Sequence, residues 1–359
     1  MVDWTSSMQQ TYEYYIVDPE TWRDVRPLNC VKASTINRET DSETRGSATF
    51  DITENIDECY VRVYLVTIQN GVKEKHPLGT YLVQTPASSY DGKVSTYQVD
   101  GYTPLMELKE KQPPLGFSIE IKNGERIMDA GYRLAQQYCR APVVPTKSTS
   151  TLSDNFVADP KDTWLAYLSS LISNASGDEP KYKFDLDEMG RILFAPIQKT
   201  EALQPVWTYT DDNSSILLPE ITLDRDIYGI PNVVEVIYST SSKQYYGRAV
   251  NNDENSPTSI VNRGREITHR ITDPSLVGVT DDKQVQDYAE QTLKELSTVE
   301  YTITYTHGYC PVRVDDCVLL NYTRAGLKNI KAKVISQSIK CKPGCQVTEK
   351  AVFTNKLWR

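Results

Sequence analysis

The sequence runs to 359 residues, beyond the ~250–300 at which a single hydrophobic core stops growing, so several domains are expected. With 39% hydrophobic and 24% charged residues the chain reads as a folded globular protein, and 23 Tyr against 6 Phe and 5 Trp favour strands and subunit interfaces. A net charge of −9 argues against a duplex-binding protein, no apolar run is long enough to span a membrane, and seven scattered cysteines do not make a secreted disulfide scaffold.

The opening residues MVDWTSSMQQTYEYY carry neither the basic nor the apolar part of a signal peptide, which points to assembly in a cytoplasm. Up to about residue 110, β-branched and aromatic residues alternate with polar ones between turn formers, predicting strands such as 49–53 (TFDIT), 60–66 (YVRVYLV) and 79–84 (GTYLVQ). Asn70-Gly71 tolerates positive φ and predicts a hairpin, and Tyr90-Asp91-Gly92 predicts a second turn.

The period then changes. Ile127, Met128, Leu134 and Tyr138 share one face of a helix over 124–138, which Gly131 weakens. A second helix is predicted with Asp159 as N-cap, Pro160 as first residue, a stripe of Trp164, Leu165, Leu168, Leu171 and Ile172, and Gly177 at its end. Residues 182–197 (YKFDLDEMGRILFAPI) predict a hairpin turning at 187–190.

From Pro231 strands return in NVVEVIY, EYTITYTHG, DDCVLLNY, IKAKVISQSI and TEKAVFT, interrupted by one helix at 283–297 with Val285, Tyr288, Ala289, Thr292, Leu293 and Leu296 on a common face. Residues 239–264, polar and rich in Ser and Asn, predict a long loop or projecting hairpin that a partner could order.

Candidate chemistry is sparse. Asp185, Asp187, Gly190 and Ile192 fill places of a calcium loop, but Met189 and Pro196 stand where oxygen ligands belong, so a plain turn is favoured. Cys310, Cys317, Cys341 and Cys345 could supply four thiolates to zinc; the spacing of the last two is wider than usual and Cys317 lies in a strand-like run, so packing is favoured while metal binding stays open. His76, His269 and His307 stand in no hydrolase or metalloprotease motif, and His307 continues the period of a strand. The acid pairs Asp211-Asp212, Asp281-Asp282 and Asp315-Asp316 suit turns, caps and loops as well as a glycosidase, and no phosphate loop occurs. No catalytic, cofactor or metal residue is assigned, and a non-enzymatic protein is expected.

Order carries more than any motif. RGSATFDI, LGTYLVQTP, YQVDGYTPLMEL, GERIMDAGYRLAQQ, DTWLAYLSSLISNASG, the hairpin YKFDLDEMGRILFAPI, IPNVVEVIY and QVQDYAEQTLKELS follow one another over nearly the whole chain. In this order they resemble the tail hub family of bacteriophages and phage-like injection systems, the baseplate and tail-tip hubs.

The resemblance implies a β-rich α+β, multidomain fold with two tube-like β-barrel domains flanking a small α+β module. The expected segments are a barrel at 1–110, the module at 111–230, and a second barrel at 231–359 with one inserted helix and a projecting loop near 239–264. It further implies a homotrimer at the virion's tail tip or baseplate, joining the sixfold tail tube or a distal tail protein to a threefold spike, fibre or other baseplate protein. Tape measure protein and DNA would pass through the lumen, where the acidic balance would repel phosphates. A receptor- or carbohydrate-binding tail protein and a cell-wall-degrading tail enzyme are the alternatives.

Overall fold

Strands form wherever the period of two is carried by β-branched and aromatic residues, and the chain is accordingly β-rich, with helices confined to a few apolar-striped segments. The computed structural model describes residues 2–84, 87–90, 95–114, 120–157, 159, 161–174, 180–240, 243–272, 274, 276 and 279–358, of which 87–90 and 95–96 are described by backbone alone. Asp91 and Gly92 of the expected turn at Tyr90-Asp91-Gly92 lie outside the described residues. The chain divides into two compact units, Met1–Ile221 with Tyr305–Lys350, and Thr222–Thr304 with Ala351–Arg359. The fold is β-rich α+β and multidomain.

In the first unit Asp24–Pro27, Gln9–Val17, Cys59–Gln69, Val72–Val83, Ser95–Tyr102, Gly46–Ile52 and Val31–Glu39 lie side by side in that order, all antiparallel. Asn70 and Gly71, at φ of 50° and 76°, close the two-residue hairpin between Gln69 and Val72, the conformation their sequence predicts. The sheet then continues into the C-terminal part of the chain, where Ile330–Cys341 pairs antiparallel with Val31–Glu39, matching Ser336 to Glu39 and Cys341 to Ser34. Cys317–Asn321 adds to Ile330–Cys341, and Pro205–Thr210 adds to Cys317–Asn321 in parallel. Inward residues of both ends of the chain, among them Ile36, Phe50, Val63, Leu65, Leu78, Ile339 and Val347, share one core.

A second core of the same unit is built from helices Ile127–Tyr138 and Trp164–Ser173 and the hairpin Tyr182–Leu186 and Ile192–Pro196. Gly131, which lowers helix propensity, has a reason here. A Cβ at that position would sit 3.0 Å from Ile172 Cγ2 and 3.5 Å from Phe194, so only a small residue lets the helices meet.

The second helix begins later than the sequence suggests. Thr163 is extended and its side chain accepts from Ala166 N at 3.2 Å, so Thr163, not Asp159, is the N-cap. Asp159 instead accepts from Lys161 N at 3.0 Å in the preceding turn. Asn174 caps the other end. Pro160 and Gly177, expected at its two ends, lie outside the described residues.

In the second unit Gln244–Val250, Val233–Ser239 and Thr268–Thr272 form a three-stranded sheet with Val233–Ser239 in the middle. Helix Asp282–Leu296, capped by the Asp281 side chain on Gln284 N at 3.0 Å, packs Val285, Ala289 and Leu293 against Val234, Val236 and Ala249. Gly247 permits this, because a Cβ there would collide with the Val285 carbonyl. Residues 239–264 supply one strand of the hairpin and a turn tied by buried Asn251, whose amide donates to Ser256 Oγ at 2.8 Å. Among the described residues no helix is long and apolar enough to cross a membrane.

Candidate functional site

Two polar constructions in the first unit stand out, and both are joints. The first lies where the tip of the hairpin meets the N-terminal sheet. Asp187 shapes the turn by accepting from Met189 N at 3.0 Å and Arg191 N at 2.8 Å, and Gly190 takes the left-handed φ of 74°. The Met189 carbonyl is thereby presented to three donors: Trp22 Nε1 at 2.8 Å, Thr80 Oγ1 at 2.9 Å and Arg62 Nη2 at 3.2 Å.

Arg62 is only 1% exposed and bonded through all three of its nitrogens. Its Nε donates to Thr80 Oγ1 at 2.9 Å, Nη1 to Asp24 at 2.6 Å and Nη2 also to the Trp22 carbonyl at 3.2 Å. A buried guanidinium is tolerated only when paired and bonded in this way.

Beside this tip Asp315 gathers Arg45, Lys183 at 2.7 Å and Lys333 at 3.1 Å, drawing the hairpin and both ends of the chain together. Burial pushes the Asp315 carboxyl up, but the three cations outweigh it and hold it below its ordinary value. Asp185 lies 3.7 Å from Arg45 Nε and 4.0 Å from Arg313, and Glu188 is 2.8 Å from Arg313. The calcium-loop carboxylates are thus engaged with the turn and with arginines. The cavity among these groups measures about 40 Å³, room for a water and not for a substrate.

The second construction lies under the C-terminal strands. In Thr298–Gly308 and Gln346–Lys356 the period of two turns His307 and Glu349 inward. Glu349 accepts from Gln337 Nε2 at 2.5 Å, Tyr305 Oη at 2.7 Å and Tyr209 Oη at 3.2 Å, and its other neighbour is His307 Nε2 at 3.3 Å. On the far side of the ring, Nδ1 is 2.6 Å from the Gly308 carbonyl. Nε2 also lies 3.1 Å from Tyr209 Oη, so the ring is held between a carbonyl on one side and a carboxylate with a phenol on the other, surroundings that favour the imidazolium.

The energetics agree. Burial opposes charge on His307, yet Glu349 and Cys310 outweigh it and raise its pKa to about 10. Burial likewise pushes Glu349 up, and the His307 charge with the bonds from His307, Gln337 and Tyr305 holds it below its ordinary value.

Cys310 adjoins this cluster, 3.3 Å from Tyr209 Oη and 3.9 Å from His307 Nδ1. Thiol, imidazole and carboxylate in one place suggest a hydrolase, but Cys310, His307 and Glu349 are 2%, 1% and 0% exposed. A sealed cluster cannot meet a substrate.

The four candidate thiols do not converge. Cys341 and Cys345 lie in the core shared with the N-terminal strands, burial pushing them up to about 12 and about 11, whereas Cys310 belongs to the Glu349 cluster and Cys317 to its own strand. Among the described residues no three His, Cys, Asp or Glu side chains are grouped to hold a metal. The acid pairs cap and turn: Asp211 accepts from Thr323 Oγ1 at 2.7 Å, Asp212 from Ser214 Oγ at 2.6 Å, and Asp316 from Arg313 N at 2.7 Å. Sequence reasoning missed Glu349 and Arg62, although each is a charge among apolar residues on a buried face of its strand, which was the available signal.

No protein-family model and no curated protein matches the sequence. Solved structures do match, end to end. The tail protein from Neisseria meningitidis MC58 superposes with a TM-score of 0.59 at 13% identity, over 96% of each chain. This is the fold of phage tail proteins. The prophage MuSo2 43 kDa tail protein from Shewanella oneidensis has the same tail fold, with a TM-score of 0.60 at 10% identity over 95% of this chain and 96% of that one. A chain of the Francisella PdpA–VgrG complex also carries it, with a TM-score of 0.56 at 9% identity over 97% of this chain and 53% of the other.

Proposed function

We propose that the chain is a non-enzymatic hub of a phage or phage-like tail tip. Three copies form a ring that joins the sixfold tail tube to a threefold spike or fibre and encloses part of the DNA ejection channel. The observation that carries this reading is the match over 96% of both this chain and a tail protein, which leaves little of the fold for another task.

In this reading residues 1–110 and 231–359 are the two tube-like barrels and 111–230 the module between them, and the pairing of Val31–Glu39 with Ile330–Cys341 supports a join between the two ends of the chain. Acidic residues of the −9 balance line the channel and keep phosphates from sticking as tape measure and DNA pass. The inaccessibility of His307, Cys310 and Glu349 supports a structural over a lytic role.

Electron microscopy of the purified full chain tests the proposal. A threefold ring with a central channel and a pseudo-sixfold outline is expected; a compact monomer at high concentration refutes it.

A further inference from the structure

The small sheet of the second unit treats its two edges differently. Unpaired edge strands invite foreign strands, and proteins blunt them. On the Gln244–Val250 edge, helix side chains do the blunting: Asp282 accepts from Tyr246 N at 3.1 Å, Gln286 Oε1 from Arg248 N at 2.8 Å, and Gln286 Nε2 donates to the Arg248 carbonyl at 3.1 Å. Every outward backbone group named there is satisfied by a helix that reaches over for it.

The opposite edge, Thr268–Thr272, has no strand beside it among the described residues. It pairs in parallel with Val233–Ser239, and Val233 N donates to the Ile267 carbonyl at 3.2 Å. Alternation from that bond turns the N–H and C=O of Thr268, Arg270 and Thr272 away from the sheet. This strand carries none of the inward charges, prolines or bulges that guard an edge, and its burial pattern is exposed at four of five positions.

We propose that this edge accepts an extended segment of another protein, added as a fourth strand and alternating acidic with apolar side chains. The alternation follows from the two faces. On one, Arg270 is 63% exposed and holds Glu235 through Nε and Nη2 at 2.9 and 2.7 Å, leaving the rest of its five donors for a carboxylate on a neighbouring strand. On the other, Ile271 is only partly buried against the core of Val234, Val236 and Leu293, and an apolar neighbour would complete its cover.

Self-pairing is disfavoured by the same residues. An antiparallel pair of two copies of Thr268–Thr272, in the register that matches all five residues, sets Arg270 opposite Arg270, and like charges directly opposed are destabilising. The occupant is therefore a different strand, whatever part the chain plays in a tail.

The capped peptides VEVEVEV and VKVKVKV, titrated into the full chain, test this. VEVEVEV is expected to bind about fivefold tighter than VKVKVKV, the difference between an opposite and a like charge set beside the single cation Arg270, and to slow amide exchange at Thr268, Arg270 and Thr272. Arg270→Glu, with circular dichroism checking the fold because Glu235 loses this partner, is expected to invert the preference. Methylating alternate backbone nitrogens of VEVEVEV is expected to abolish binding. Equal affinity for the two peptides, no slowing of those amides at millimolar VEVEVEV, or dimerisation of the free chain that Arg270→Glu abolishes, would each overturn the proposal.

Discussion

Replacing Glu349 with Gln keeps the shape of the sealed cluster and removes its charge. The carboxylate is fully buried and is the acceptor for Gln337, Tyr305 and Tyr209 and the counter-ion of His307. Breaking a buried ion pair from one side typically costs about 3–5 kcal/mol, because the other charge is left without compensation. The raised imidazole leads to the same range: a rise from 6.5 to about 10 corresponds to about 5 kcal/mol of preference for the protonated ring.

Urea unfolding of the full chain, followed by tryptophan fluorescence, is expected to show Glu349→Gln destabilised by about 3–5 kcal/mol at pH 7. The His307 ring resonances are expected to report an imidazolium at pH 7 in the parent and a neutral ring in the variant. A neutral His307 in the parent, or a loss under about 1 kcal/mol, refutes the ion pair.

The pH profile follows from the two shifts. Because the folded pKa of His307 is raised, its contribution is fully present below 6.5 and is lost as pH rises toward about 10. Because that of Glu349 is lowered, its contribution is present above 4.5 and is lost as pH falls through the folded value. In Glu349→Gln the alkaline loss between pH 7 and 10 is expected to disappear.

Two further changes probe the hairpin seam. Gly190→Ala places a Cβ 2.6 Å from Thr80 Cβ at a residue with φ of 74°, so overpacking and backbone strain together are expected to cost about 2–4 kcal/mol, read by thermal unfolding. Asp315→Asn leaves Arg45, Lys183 and Lys333 facing one another and is expected to destabilise by about 3 kcal/mol at pH 7. Since the folded Asp315 pKa lies below 3.8, the parent's contribution from this group is lost as pH falls through that lower value, and the variant is expected to lack that part of the acid transition.

Local signals were legible because local physics decides them. Asn70-Gly71 closes a hairpin since both residues accept positive φ, and the 182–197 hairpin turns where Asp187 can cap and Gly190 can bend. The C-terminal helix starts within a residue of its predicted position since Asp281 is a good cap beside an apolar stripe. Where two caps competed the sequence misled: Asp159 and Thr163 are both favourable, and the choice of Thr163 is made by the burial of Trp164 and Leu165, which fixes where the helix must begin.

The seam and the sealed cluster are different in kind, because their members meet only through strand pairing. Ser338 bonds Asn37 across 301 residues, Trp22 reaches Met189 across 167, and Tyr209 reaches Glu349 across 140. A backbone carbonyl such as that of Met189 leaves no trace in the sequence at all. An inward charge does: Arg62 interrupts the apolar run YVRVYLV and Glu349 follows Val347 on the buried face of its strand. Such a charge can persist only with a partner of opposite sign or several donors, so each one announces a long-range contact without naming it. Two such charges, one at each end of the chain, sit at the places where this fold is fastened, and the sequence pattern that betrays them is the exception to the period of two and not the period itself.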